Sequence, residues 1–89
     1  MESTTTRQFR EAFAALPPEI QKRVRDAYFL FKQNHNHPSL RFKKVHTTLP
    51  IYSARVTLDY RAVGAVQDDA VVWFWVGSHT DYERVLSTL

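Results

Sequence analysis

Apolar positions recur along this chain with two different periods. Phe9, Ala12, Phe13 and Leu16 fall at helical spacing, which places them on one face of a helix. That spacing predicts a short helix from about Thr6 to Ala15, after a polar lead, residues 1–5, expected to fray. Leu16-Pro17-Pro18 ends it, because proline has no N–H for the helical ladder and restrains the residue before it. Pro18 also suits the first position of a second helix, with Glu19 favourable at its positive end. Ile20, Val24, Ala27, Tyr28 and Phe31 form one stripe, while Lys22, Arg23, Arg25 and Asp26 lie mostly off it. This helix should run to about Gln33, and the very short connection makes the two an antiparallel helical hairpin.

The period changes after Asn34-His35-Asn36-His37-Pro38-Ser39, a loop by composition. Tyr52, Ala54, Val56 and Leu58 alternate with Ser53, Arg55 and Thr57, the pattern of a half-buried strand. A turn near Leu58-Asp59 leads to a strand over Tyr60–Val66. A second turn at Gln67-Asp68-Asp69 leads to Ala70–Val76, a continuous β-branched and aromatic run that reads as buried on both faces. Gly77-Ser78 should break it, and Ser78 can cap a short final helix over His79–Leu86. A short strand around Phe42–His46 completes the sheet. The order predicts an α+β fold: an N-terminal helical hairpin packed on a small antiparallel β-sheet, with a short C-terminal helix.

Length and composition narrow the classes. The 89 residues fit one domain, with 44% hydrophobic and 13% aromatic residues; disorder is not expected beyond the lead. There is no cysteine, which removes disulfides, thiolate nucleophiles and Cys-based zinc sites. No apolar run approaches the roughly 18–20 residues that span a bilayer, and Met1-Glu2-Ser3-Thr4-Thr5-Thr6 has no signal-peptide core. A cytoplasmic protein without membrane association is therefore expected. The net charge of +3 is uneven: residues 1–67 hold 11 Lys/Arg against 5 Asp/Glu, and residues 68–89 hold Arg84 against Asp68, Asp69, Asp81 and Glu83. A basic body implies either an anionic partner or a solvated basic surface.

Three local signatures, in order, resemble the RelE/ParE toxin superfamily of type II toxin–antitoxin and plasmid-stabilisation systems. They are Phe13-Ala14-Ala15-Leu16-Pro17-Pro18-Glu19-Ile20, Ser53-Ala54-Arg55-Val56-Thr57-Leu58-Asp59-Tyr60-Arg61, and Trp73-Phe74-Trp75-Val76-Gly77-Ser78-His79-Thr80-Asp81-Tyr82. The likeness covers about residues 7–88. Three departures accompany it. An N-terminal strand common in the family is not evident, Ser53 stands where a basic residue is frequent, and His79 stands where arginine is frequent.

The resemblance implies a ribosome-associated mRNA endonuclease, neutralised by a small antitoxin, that works without metal or cofactor. In such a reaction the RNA 2′-hydroxyl attacks the adjacent phosphate. It needs proton exchange and cations around the developing charge. By that resemblance His79 is the proton-exchanging residue, since imidazole titrates near neutrality; otherwise it is a capping or surface histidine. Arg61 would clamp the phosphate, with Arg55 reaching it from the neighbouring strand; otherwise each is a surface charge paired with Asp59 or Asp69. Tyr82, three residues after His79, would stack on a base or assist proton transfer, or else anchor the last helix.

Arg41, Lys43, Lys44 and His46 would contact RNA backbone, or guard an edge strand. Trp73 and Trp75 alternate with Phe74 and Val76, so the tryptophans should share one face, either as core or as an open seat for an antitoxin segment. His35 and His37 have no third ligand nearby, which argues against a metal site. The same fold also serves a ParE-like DNA gyrase inhibitor and a degenerate member without toxicity, and the thinned basic set leaves both open.

Overall fold

A computed structural model describes residues 1–89. Five strands, β1 (Glu2–Thr5), β2 (Lys43–Lys44), β3 (Ile51–Thr57), β4 (Tyr60–Gln67) and β5 (Ala70–Ser78), form one sheet in the order β1-β5-β4-β3-β2. Helix α1 (Arg7–Ala14) packs on β5 and α2 (Pro18–Gln33) on β3. Helix α3 (His79–Ser87) follows β5 directly. The fold class is the expected α+β arrangement.

The helices begin where the chemistry allows. Thr6 caps α1 by accepting the Phe9 N–H at 3.1 Å. Pro18 occupies the first turn of α2, where a missing N–H costs nothing. The side-chain amide of Gln21 donates to the carbonyls of Phe13, Ala14 and Leu16, so α2 satisfies the orphan acceptors at the end of α1. The loop after α2 is shorter than expected: Pro38–Leu40 make a 3₁₀ turn, capped by the His37 ring, which accepts the Ser39 N–H. His35 packs against Phe31 and Phe42. The two loop histidines thus hold local structure.

The polar lead is a strand, against expectation. Residues Glu2–Thr5 run parallel to β5, with Glu2 opposite Ala70 and Thr5 opposite Trp73, so the sheet is mixed rather than wholly antiparallel. Nothing in the Glu-Ser-Thr-Thr pattern signals this, because backbone pairing and two distant side chains hold it. The Trp73 indole N–H donates to the Ser3 hydroxyl at 2.9 Å, and the Tyr28 hydroxyl donates to the Ser3 carbonyl at 3.2 Å.

Both sheet faces are covered, unequally. The larger core joins Phe9, Val24 and Phe31 of the helices to Ala54, Ala62, Val71, Trp73 and Val76 of the sheet. The smaller core, on the other face, centres on Ile51, Val63 and Tyr82, with Phe74, Trp75 and Leu86 packed around it. Val72 remains 41% exposed, so β5 is not buried on both faces throughout, since α3 covers only part of the second face.

A β-bulge explains where the tryptophans go. Val63 pairs with Trp75 and Gly64 with Trp73, leaving Phe74 as the extra residue. The alternation therefore slips: Trp73 and Val76 face the helical hairpin, while Phe74 and Trp75 face α3. The two tryptophans do not share a face, and Trp73 is 3% exposed, so together they form no open aromatic seat.

Nor does Gly77 break the strand. It pairs with Arg61 inside β5, and a Cβ there would lie 2.5 Å from Trp75 Cζ2. The glycine exists because the indole ring lies across its Cα.

Candidate active site

Ala54, Val56 and Ala62 belong to the core under the helical hairpin. Their neighbours Arg55 and Arg61 therefore point to the opposite face, the one that carries α3. The two arginines are direct cross-strand partners, and Arg61 in turn pairs with Gly77 on β5. Arg55 and Arg61 thus lie in one row across β3 and β4, with the start of α3 just beyond Gly77. Neither forms an ion pair, so the expected alternative of pairing with Asp59 or Asp69 does not occur.

Arg61 also has a structural task. Its Nη1 donates to the carbonyls of Thr57, Leu58 and Tyr60 at 2.6, 3.1 and 3.0 Å. These bonds close the β3–β4 turn and fix the plane of the guanidinium. Arg55 makes no such bond.

His79 is the first residue of α3, positioned by its backbone. Its N–H donates to the Asp59 carbonyl at 2.7 Å, tying the helix start to the β3–β4 turn. The Ser78 hydroxyl caps the helix by accepting the Asp81 N–H at 3.2 Å. The imidazole is half-exposed, with Nε2 4.0 Å from the Glu83 carboxylate and its ring 5.6 Å from that of Tyr82. Tyr82 is only 8% exposed. Its ring anchors α3 in the smaller core, so it stands behind His79 and not beside it in solvent.

The basic stretch from Arg41 to His46 is dispersed. Lys43 lies opposite the buried Ser53 and Lys44 opposite Tyr52. Lys43 therefore shares the face of Arg55, while Lys44 falls on the other. His46 is occupied locally: its Nδ1 accepts the N–H groups of Thr48 and Leu49 at 3.2 and 2.9 Å. Arg41 adopts a left-handed conformation with φ 45° and ψ 44° at the end of the 3₁₀ turn.

Arg41 instead shares a cleft with Arg55 and with Arg23, the second of which sequence reasoning did not single out. A cleft of about 500 Å³ lies at the free edge of β3, where α2 and the 3₁₀ turn overhang it, and Arg23, Arg41 and Arg55 all line it. The only sequence signal for Arg23 was its place off the apolar stripe of α2, which says nothing about what it faces.

The chain can be set beside known proteins on this basis. Residues 18–84 match the family model of a ParE-like toxin domain. A search of curated proteins finds no match. Among solved structures, the chain is similar in fold to YafQ of E. coli strain BL21(DE3), with a TM-score of 0.73 at 10% identity, over 91% of this chain and 96% of that one. It is also similar to a chain of the RelB-RelE antitoxin-toxin complex of Methanococcus jannaschii, with a TM-score of 0.70 at 20% identity, over 92% and 96%. A third likeness is to a chain of the toxin-antitoxin complex RelBE2 of Mycobacterium tuberculosis, with a TM-score of 0.67 at 25% identity, over 90% and 92%.

Proposed function

The chain belongs to the ParE-like toxin domain family, and from that membership we propose that it is a toxin that cleaves messenger RNA on the ribosome and is held in check by a small antitoxin. Its place of action is then the cytoplasm. The observation that carries the reading is the row formed by Arg55 and Arg61, two guanidiniums on one face without an acidic partner, next to the imidazole at the start of α3. Unpaired arginines facing each other across a sheet cost stability and gain nothing in the free protein. A phosphate between them repays that cost.

Each residue of the row then has a role. Arg61, its plane fixed by the turn carbonyls, presents its remaining donors to a phosphate oxygen, and Arg55 adds a second cation from the facing strand. As the 2′-hydroxyl attacks, its proton is lost, a 2′,3′-cyclic phosphate forms and the 5′-oxygen leaves with a proton. His79 exchanges one of these protons. Tyr82 holds the imidazole from its buried side. Lys43, on the same face, adds positive potential along the RNA, and no metal or cofactor takes part.

The test is growth of a bacterium expressing this chain or its His79→Ala variant from an inducible promoter, with mRNA ends mapped after induction. Arrest by the parent alone, with new mRNA ends, is the expected result. Arrest by both without new ends would move the target to a protein such as DNA gyrase. Growth of both, with folded protein present, would identify a member that has kept the fold and lost the toxicity.

A further inference from the structure

Beside the reacting face lies a second place for phosphate. Strand β2 covers β3 only at Tyr52 and Ser53, so the edge of β3 from Ala54 onward has no strand neighbour. The cleft along this edge draws Arg23 from α2, Arg41 from the 3₁₀ turn and Arg55 from β3. None of the three makes an ion pair. The one carboxylate in the lining, Asp26, is already bonded to Lys22 at 3.0 Å. Three cations brought together from distant parts of the chain, against a single carboxylate that already has a partner, raise the local positive potential. Arg41 is held there in a left-handed backbone conformation, which is uncommon for a residue with a side chain.

The rest of the lining is mixed: Ser39 and Thr57 are polar, while Leu30 and Leu58 are among the apolar residues, and Leu58 is 68% exposed. About 500 Å³ lies within the range of roughly 300–1,000 Å³ seen for small-ligand sites. Cations beside an exposed leucine suit a ligand with an anionic end and a flat, weakly polar body, as a nucleotide has.

We propose that this cleft binds the sugar–phosphate backbone of single-stranded RNA one or two nucleotides from the scissile phosphate, with Arg23 and Arg41 as its phosphate contacts. Arg55 belongs to both places, since it faces Arg61 and lines the cleft, and it marks where the strand crosses the sheet edge. The inference rests on the RNA-cleaving reading for the identity of the strand, while the binding itself is independent of cleavage.

The experiment measures fluorescence anisotropy of a labelled six-nucleotide 2′-O-methyl oligouridylate, which cannot be cut, against the full chain over a range of salt. The Arg23→Gln/Arg41→Gln double variant should bind at least tenfold more weakly. Its salt dependence should flatten by about 1.4 in the slope of log affinity against log salt, as expected for two lost contacts to a single strand. Both residues are exposed, and an unchanged melting temperature would exclude misfolding. Unchanged affinity and slope in the variant would overturn the proposal. So would a cleft that takes an oligoglutamate peptide in preference to the RNA, which would assign it to an acidic protein segment. The uncut probe separates the two readings: its binding is read without any cleavage, so failure of cleavage leaves the cleft intact and failure of the cleft leaves cleavage to be judged alone.

Discussion

Arg55 and Arg61 are direct cross-strand partners, so two guanidiniums share one sheet face, and neither has a carboxylate partner. Like charges in that position destabilise a sheet by roughly 0.2–1 kcal/mol. Arg55→Thr should therefore raise stability by about that amount while lowering RNA cleavage. Urea denaturation and a single-turnover cleavage assay read the two effects separately. Loss of stability in the variant would mean that Arg55 supports the fold.

Arg61 should behave differently, although it shares the sheet face of Arg55. Its Nη1 closes the β3–β4 turn through three carbonyls, and hydrogen bonds from a charged donor are worth about 1.5–3 kcal/mol. Arg61→Ala should lose both cleavage and roughly that much stability. Arg61→Lys should recover part of the stability without recovering the rate, because a single ammonium cannot reproduce the fork.

His79→Ala isolates chemistry from folding. The imidazole is half-exposed, and the bonds that place it, from its own N–H to Asp59 and from Asp81 to the Ser78 hydroxyl, do not involve its side chain. Cleavage should fall by about 10²–10⁴-fold, the usual contribution of a positioned proton-exchanging group. The melting temperature should stay within a degree or two of the parent's, on the order of a surface substitution. Circular dichroism melts beside the cleavage assay provide the check.

Gly77→Ala tests the packing beneath the site. The added methyl would sit 2.5 Å from Trp75 Cζ2, so the indole, packed against the core around Tyr82, must shift. A loss of about 1–3 kcal/mol is expected, as for overpacking elsewhere, with a change in tryptophan fluorescence. An unchanged denaturation midpoint would show that Trp75 has another place to go.

How much of this was legible in the sequence depended on what each element needs. Helix α2 followed from its own residues, because Pro18 opens it and its apolar stripe continues to Phe31. The hairpins followed from alternation and turn chemistry. Strand β1 did not, since Ser3 is held by Trp73 and Tyr28 from far along the chain. The bulge at Phe74 left no mark either, because the apolar run through Val76 reads the same with or without a slip. At the site, Arg55, Arg61 and His79 fall at one end of the sheet. Arg41, Lys43, Lys44 and His46 scatter, because a tight turn and a two-residue strand send neighbours in different directions. Arg23 needed the tertiary fold to bring it to β3.

The pairing of Glu2 with Ala70 on a parallel neighbour also sets an order of assembly. Non-local contacts of this kind are slow to form, since the intervening chain must first be closed into a loop. During synthesis the first strand emerges early and has no partner until β5 has been made. The residues of the site divide in the same way, with Arg55 and Arg61 made before His79. A nascent chain therefore carries its cations without its imidazole, and the sheet gains its last edge only as these residues are brought together, so the whole arrangement waits on the last part of the chain to be made.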